Sequence, residues 1–309
     1  MGTPEFAVGP LKALIEAKYD IAAVVTVPDK QSGRGLKVTE SAVRQFANEQ
    51  NLKVLQPVSL KDPTFLEELK ALKANLFIVV AFRMLPKEVW SIPRLGTFNL
   101  HASLLPQYRG AAPINWAIIN GERLTGVTTF MIDEQIDTGN IIYQEQCAIE
   151  DYDNVGSLHD KLQSIGSDLV IKTVKTIADG KLKTIVQDNF DKLQSAPKIT
   201  KETCHIDWNK RAVTIERLIK GLSPYPAAFS TLSADGETVN VKIFEAFVVE
   251  NRNDNSIPGT IYSDGKTYLE VKCRDKSIKI LNLQLAGKKR LNIKEFLAGF
   301  REPEKYKFV

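Results

Sequence analysis

The chain has 309 residues, 43% of them hydrophobic and 25% charged, with a formal net charge of +4. Such a length exceeds the usual size of one core and predicts a soluble protein of about two domains. The longest unbroken apolar run, Leu76 to Phe82, is far too short to cross a bilayer, and the N-terminus lacks the basic-then-apolar pattern of a secretory signal. Cys147, Cys204 and Cys273 are odd in number and widely spaced. They argue against a disulfide framework or a zinc knuckle and for a reducing cytoplasm.

The positive excess sits in the last third: residues 200–309 carry 19 Lys and Arg against 14 Asp and Glu, the remainder 22 against 23. By itself an excess of that size describes an ordinary solvated surface.

In chain order, Gly2-Thr-Pro4 reads as a strand-to-helix turn, followed by an amphipathic helix through Leu11, Leu14 and Ile15. Ile21–Val27, Leu52–Leu55 and Leu76–Ala81 are apolar, β-branched runs suited to strands covered on both faces. Helical stretches at Ser41–Asn51 and Asp62–Lys73 separate them. This alternation predicts an α/β fold with a Rossmann-like, doubly wound, mostly parallel sheet. No Gly-x-Gly-x-x-Gly follows any strand, which argues against a nicotinamide cofactor. Between two of these elements, Asp29–Lys37 forms a glycine-containing extended loop whose Lys30, Arg34 and Lys37 make its tip positive.

Thr97-Phe98-Asn99-Leu100-His101 alternates polar and apolar residues, so Asn99 and His101 share one face of a strand. Leu104-Leu105-Pro106 and Gly110 stop the strand soon afterwards, placing both residues at a carboxyl end, where open α/β sheets bind ligands. Pro113 to Gly121 reads as a helix. Val127–Ile132 and Asn140–Ile149 read as neighbouring strands joined by a turn, Asp137-Thr-Gly139, with a free carboxylate at its tip. Asn donates an amide N–H to a developing oxyanion, His moves a proton near neutral pH, and Asp favours the imidazolium. No Ser or Cys stands in a nucleophile elbow, so the attacking group belongs to the substrate. The plainer reading of each residue alone is structural: a lone His on a strand is usually packed or hydrogen-bonded, and Asp and Gly fill turns for local reasons.

Val155 to Ala178 carries apolar residues at helical intervals and ends at Gly180, with His159 in a surface or structural role. Lys181–Thr203 is polar and patternless and reads as a linker. After a short helix at Ala212–Leu222 come five strand-like runs with Asp235-Gly236 and Asp264-Gly265 at hairpins, predicting a small β-barrel. Lys288-Lys289-Arg290 follows the last strand and either tracks a phosphate backbone or serves as a solubilising turn. Cys204-His205 is adjacent rather than ligand-spaced and reads as structural. No metal site is expected.

Asn99-x-His101-x-Ser103-Leu-Leu-Pro106, Tyr108-Arg-Gly-Ala-Ala-Pro113 and Asp137-Thr-Gly139 resemble the signature of the 10-formyltetrahydrofolate-dependent formyltransferases. Gly2-Thr-Pro-Glu-Phe6, the Pro28–Gly35 loop, Ser223-Pro-Tyr-Pro226, Pro258-Gly-Thr-Ile261 and Gly287–Arg290 followed by Glu295-Phe-Leu are similar to the branch acting on methionyl-tRNA, nearly end to end. The resemblance implies that Asn99, His101 and Asp137 are catalytic and that Ser103, Leu104, Leu105 and Pro106 line the folate site. It implies tRNA contacts at Arg34, Lys30, Lys37, Lys288, Lys289 and Arg290, and a barrel of the oligonucleotide-binding kind. The implied domains are catalytic (1–182), linker (183–203) and tRNA-binding barrel (204–309).

The implied activity is formyl transfer from 10-formyltetrahydrofolate to the α-amine of methionyl initiator tRNA for translation initiation, by a cytoplasmic monomer that needs neither metal nor membrane. Other readings are formyl transfer to an amino sugar nucleotide or to water, and a tRNA-binding module without catalysis. Two features depart from the family: a strand precedes the first glycine in relatives, so either the start lies upstream of Met1 or the sheet has lost an inner strand, which would cost exposed apolar faces, and Ala81-Phe82-Arg83-Met84-Leu85-Pro86 differs from the usual Tyr-Gly pattern beside the folate pocket.

Overall fold

The alternation of β-branched runs and amphipathic helices folds as two units in a computed structural model that describes residues 1–32, 37–188, 192–250 and 255–309. One unit comprises Met1–Pro113, Leu124–Ala148 and His159–Ala196; the other comprises Ile114–Arg123, Ile149–Leu158 and Pro197–Val309.

In the first unit, β1 (Val24–Val25) pairs in parallel with β4 (Val54–Leu55). Gly2 donates its N–H to Val25 and bridges in parallel to Val80, the last residue of β5 (Phe77–Val80). β5 is parallel to β6 (Thr97–His101), whose other edge takes β8 (Leu124–Met131) and then β9 (Ile141–Ala148), both antiparallel. The sheet is thus Rossmann-like, parallel up to β6 and antiparallel beyond it. Observed β1 is shorter than the expected Ile21–Val27, with only Val24 and Val25 in register against β4.

Helix α1 (Val8–Glu16) precedes β1, and after β1 comes a small antiparallel ladder of β2 (Lys30–Ser32) and β3 (Lys37–Thr39) where an extended loop was expected. The Ser41 hydroxyl caps α2 (Ala42–Glu49) by accepting from Arg44 N, and the Asp62 carboxylate caps α3 (Pro63–Ala71), with proline at its first position. A short α4 (Lys87–Trp90) leads into β6, and α5 (Pro113–Asn120) lies between β7 (Arg109–Gly110) and β8.

The long α6 (Val155–Ala178) lies on the sheet through its later turns. A methyl group on Gly166 would stand 2.8 Å from Leu100 Cδ2, and the Thr173 and Thr129 hydroxyls are 2.9 Å apart. His159 pairs with Asp160 and packs edge-on against Phe6, a structural role. Residues 181–188 and 192–196 are tied to the first unit. Ile185 exchanges both backbone bonds with Ile141, and β10 (Ser195–Ala196) pairs in parallel with β7.

The second unit holds its own core of Ile206, Trp208, the inner face of α7 (Ala212–Leu222) and the inward residues of an antiparallel sheet. Its strands are β11 (Ala228–Ala234), β12 (Glu237–Val249), β13 (Ile261–Ser263), β14 (Leu269–Lys272), β15 (Ser277–Leu285), β16 (Leu291–Asn292) and β17 (Lys307–Phe308), in the order β13-β14-β15-β12-β11-β17 with β16 beside β15. The two edges meet: Phe308 N donates to Gly259 O at 2.9 Å, next to the Thr260–Lys307 bridge, so the sheet closes into a barrel. Gly259 (φ +90°) is required at this seam, since a Cβ there would stand 2.1 Å from Phe308 O. Helix α8 (Ile293–Gly299) starts with a capping box between Asn292 and Glu295. All three cysteines are buried and none is in a disulfide.

Candidate active site

Strand β6 is an inner strand, paired with β5 on one edge and β8 on the other, and its alternation puts the buried Phe98 and Leu100 on one face and Asn99 and His101 on the other. Asn99 lies between Val79 of β5 and Phe130 of β8. Its Oδ1 is buried without a hydrogen-bond partner, so the strand holds an acceptor that the protein itself leaves unsatisfied.

His101 is 6% exposed, and its Nε2 lies 2.9 Å from the backbone oxygen of Tyr108. A carbonyl only accepts, so Nε2 carries the hydrogen and Nδ1 is left for chemistry. Nδ1 faces Asp137 Oδ2 at 3.8 Å, a separation of ion-pair range that is too long for a direct hydrogen bond.

Asp137 is not the free turn carboxylate expected from sequence. Its Oδ2 accepts the backbone N–H of Gly110 at 2.9 Å, so the residues around β7 and the turn after β8 build the site together. The turn is closed locally by Asp133 Oδ1, which accepts from Gln135 N at 3.0 Å and the Thr138 hydroxyl at 2.8 Å. Gly139 is obligatory, since a Cβ would stand 1.6 Å from Met131 O. Glu134 on the same turn accepts from Lys87 Nζ at 2.7 Å. That hydrogen bond raises the lysine and lowers the carboxyl from their ordinary values.

The segment expected to line a folate pocket turns sharply after β6. The Ser103 hydroxyl is fully buried and donates to Gln107 O at 2.6 Å, and Leu105 joins Phe130 and Ile141 in a small apolar cluster. Leu104 and Pro106 are the half-buried members. Thr128 of β8 ties the turn down, donating to Ser103 O at 2.6 Å and accepting from Leu105 N at 3.1 Å. Gln144 of β9 adds a donor to Leu105 O at 2.8 Å. Neither residue was singled out from sequence, because their role lies in cross-strand register. Arg83, in the divergent segment, donates to Pro57 O at 2.8 Å and Val58 O at 3.0 Å.

The structure therefore brings His101 and Asp137 together, with Asn99 two residues before His101 on the same face of β6. Of the basic residues, Lys30 is exposed on β2, Lys37 begins β3, and Arg34 lies outside the described residues. Lys288, Lys289 and Arg290 form the exposed turn between β15 and β16 of the barrel, where the Arg290 guanidinium sits 4.4 Å from the centre of the Phe244 ring. Among the described residues no cluster of His, Cys, Asp and Glu fits a metal ion, and no helix is long and apolar enough to cross a membrane.

A family model described as formyl transferase matches residues 1–174, and one described as formyl transferase, C-terminal domain, matches residues 198–301. Methionyl-tRNA formyltransferase of Bacteroides thetaiotaomicron is 52% identical, covering 99% of this chain and 96% of that protein. The protein of the same name from Parabacteroides distasonis is 53% identical with the same coverage. Among solved structures, the Helicobacter canadensis N-formyltransferase with folinic acid and dTDP-3-aminofucose covers 90% of this chain and 96% of its own at 22% identity and a TM-score of 0.65. The sugar 3N-formyl transferase WlaRD, with dTDP and 5-N-formyl-THF, covers 93% and 97% at 22% identity and 0.64. At that identity the structural likeness shows the fold alone.

Proposed function

Because the chain belongs to the methionyl-tRNA formyltransferase family, we propose that it transfers the formyl group of 10-formyltetrahydrofolate to the α-amine of methionyl initiator tRNA, giving N-formylmethionyl-tRNA for translation initiation. The observation that carries this reading is identity above 50% over nearly the whole of both chains, and the convergence of Asn99, His101 and Asp137 supports it.

The site suits the donor. An unsatisfied buried amide oxygen marks a place meant for a polar ligand, and the half-buried Leu104 and Pro106, in the turn that follows β6, offer apolar surface for a pterin. The bound donor supplies a formyl carbon already activated as an amide on N10. Asn99 Nδ2 donates to the formyl oxygen as it gains charge, and Asn99 Oδ1 accepts from the attacking amine, fixing its approach. His101 Nδ1 takes the proton that the amine loses, the Asp137 carboxylate stabilises the imidazolium, and the proton passes on to the departing N10. No enzyme nucleophile takes part.

Lys30, Arg34 and Lys37 in the catalytic unit, and Lys288, Lys289 and Arg290 on the barrel, serve the tRNA as phosphate contacts. Arg290 is partly preorganised by its stacking on Phe244. The protein acts in the cytoplasm as a monomer.

Incubation with 10-formyltetrahydrofolate and either methionyl initiator tRNA or a dTDP-amino sugar tests the acceptor. Formylmethionine is the expected product. Formylated sugar without formylmethionine would reverse the assignment.

A further inference from the structure

Gln187 lies in the patternless stretch after α6, where no sequence signal marks it, yet it is 7% exposed and its carboxamide is fully engaged. Nε2 donates to Asp137 O at 2.9 Å and to Gly139 O at 2.8 Å. Oε1 accepts from Arg109 Nη2 at 2.7 Å and Arg109 Nε at 3.2 Å. Backbone oxygens only accept and a guanidinium only donates, so the partners admit one orientation of the amide.

The side chain thereby bridges the two segments that seat the site carboxylate. One is the turn through Asp137 and Gly139. The other is Tyr108-Arg109-Gly110, which supplies the N–H held by Asp137 Oδ2 and the carbonyl held by His101 Nε2. Both segments carry backbone in the left-handed region, with φ +56° at Asp137, +60° at Tyr108 and +124° at Gly110. Such conformations persist where the surroundings over-determine them.

We propose that Gln187 is a positioning residue that sets the Asp137 carboxylate against Gly110 and His101. This rests on the catalytic reading of Asp137 given above. Gln187 touches no reacting atom; it acts by holding the two strained segments in mutual register.

Gln187→Glu keeps the size and the Arg109 contact but turns an oxygen toward the two carbonyls, severing the Asp137 side alone. Gln187→Ala removes both sides. In the full-length protein each variant is expected to lower kcat for methionyl-tRNA formylation about 10- to 100-fold with KM for 10-formyltetrahydrofolate changed less than about twofold. The double variant Gln187→Ala/Asp137→Ala is expected to be no slower than Asp137→Ala, because a residue acting through Asp137 then has nothing left to position. Wild-type kcat in Gln187→Glu, or losses that multiply in the double variant, would overturn the proposal. Wild-type kcat in Asp137→Ala alone would overturn the catalytic reading instead.

Discussion

Asn99→Ala is expected to lower turnover about a hundredfold or more while binding of 10-formyltetrahydrofolate is largely kept, the ~2.7 to 4 kcal/mol typical of one lost oxyanion donor. The Asn99 backbone sits in the ladders to β5 and β8, which an alanine leaves intact. Its side-chain oxygen has no protein partner, so truncation strands no protein group across from it. The loss therefore falls on the reaction rather than on the fold. Steady-state kinetics with thermal melts separate the two: kcat drops, KM for the donor and the melting temperature hold. Near-normal turnover would refute the assignment.

The second large effect is at Asp137, where asparagine and alanine report different things. Asp137→Asn retains an oxygen to accept the Gly110 N–H and so keeps the turn docked, but removes the negative charge beside His101 Nδ1. Proton transfer by a positioned side chain is worth about 10²- to 10⁴-fold, so this variant is expected to lose about a hundredfold in kcat or more with an unchanged melting temperature. Asp137→Ala loses the same chemistry and also leaves the Gly110 N–H without its acceptor, costing about 1–3 kcal/mol of stability. Full activity in Asp137→Asn would show that the charge has no part in the transfer.

Much of this site was legible in the sequence. The alternation of Thr97 to His101 sets two polar groups on one face of an inner strand, and the breakers after it fix the strand's end. The Asp-Thr-Gly turn marked a carboxylate, but not its anchoring, which joins residues 27 positions apart and has no local pattern. The Ser103 hydroxyl likewise is spent on Gln107 O, an internal bond that composition does not announce.

Residues 181–188 and 192–196 read as linker because their contacts are backbone ladders and the carboxamides of Gln187 and Gln107, none of which imposes an apolar period. Helix α8 had a usable signal: Asn292-x-x-Glu295 ahead of Phe296 and Leu297 is a capping box. Five of the barrel's seven strands and its hairpins followed from its turn residues, whereas β16 and β17, two residues each and without a distinguishing pattern, did not, and the closure depends on β17.

Direct passage of the formyl group from donor to amine is tested most directly by rapid quenching of a single turnover, with enzyme in excess over methionyl initiator tRNA and the formyl carbon of the donor labelled. The label is expected in formylmethionyl-tRNA and, at no time, on the protein. Label bound covalently to the chain before product forms, or no labelled product at all, would contradict a transfer in which Asn99, His101 and Asp137 orient, polarise and move protons without forming a bond to carbon.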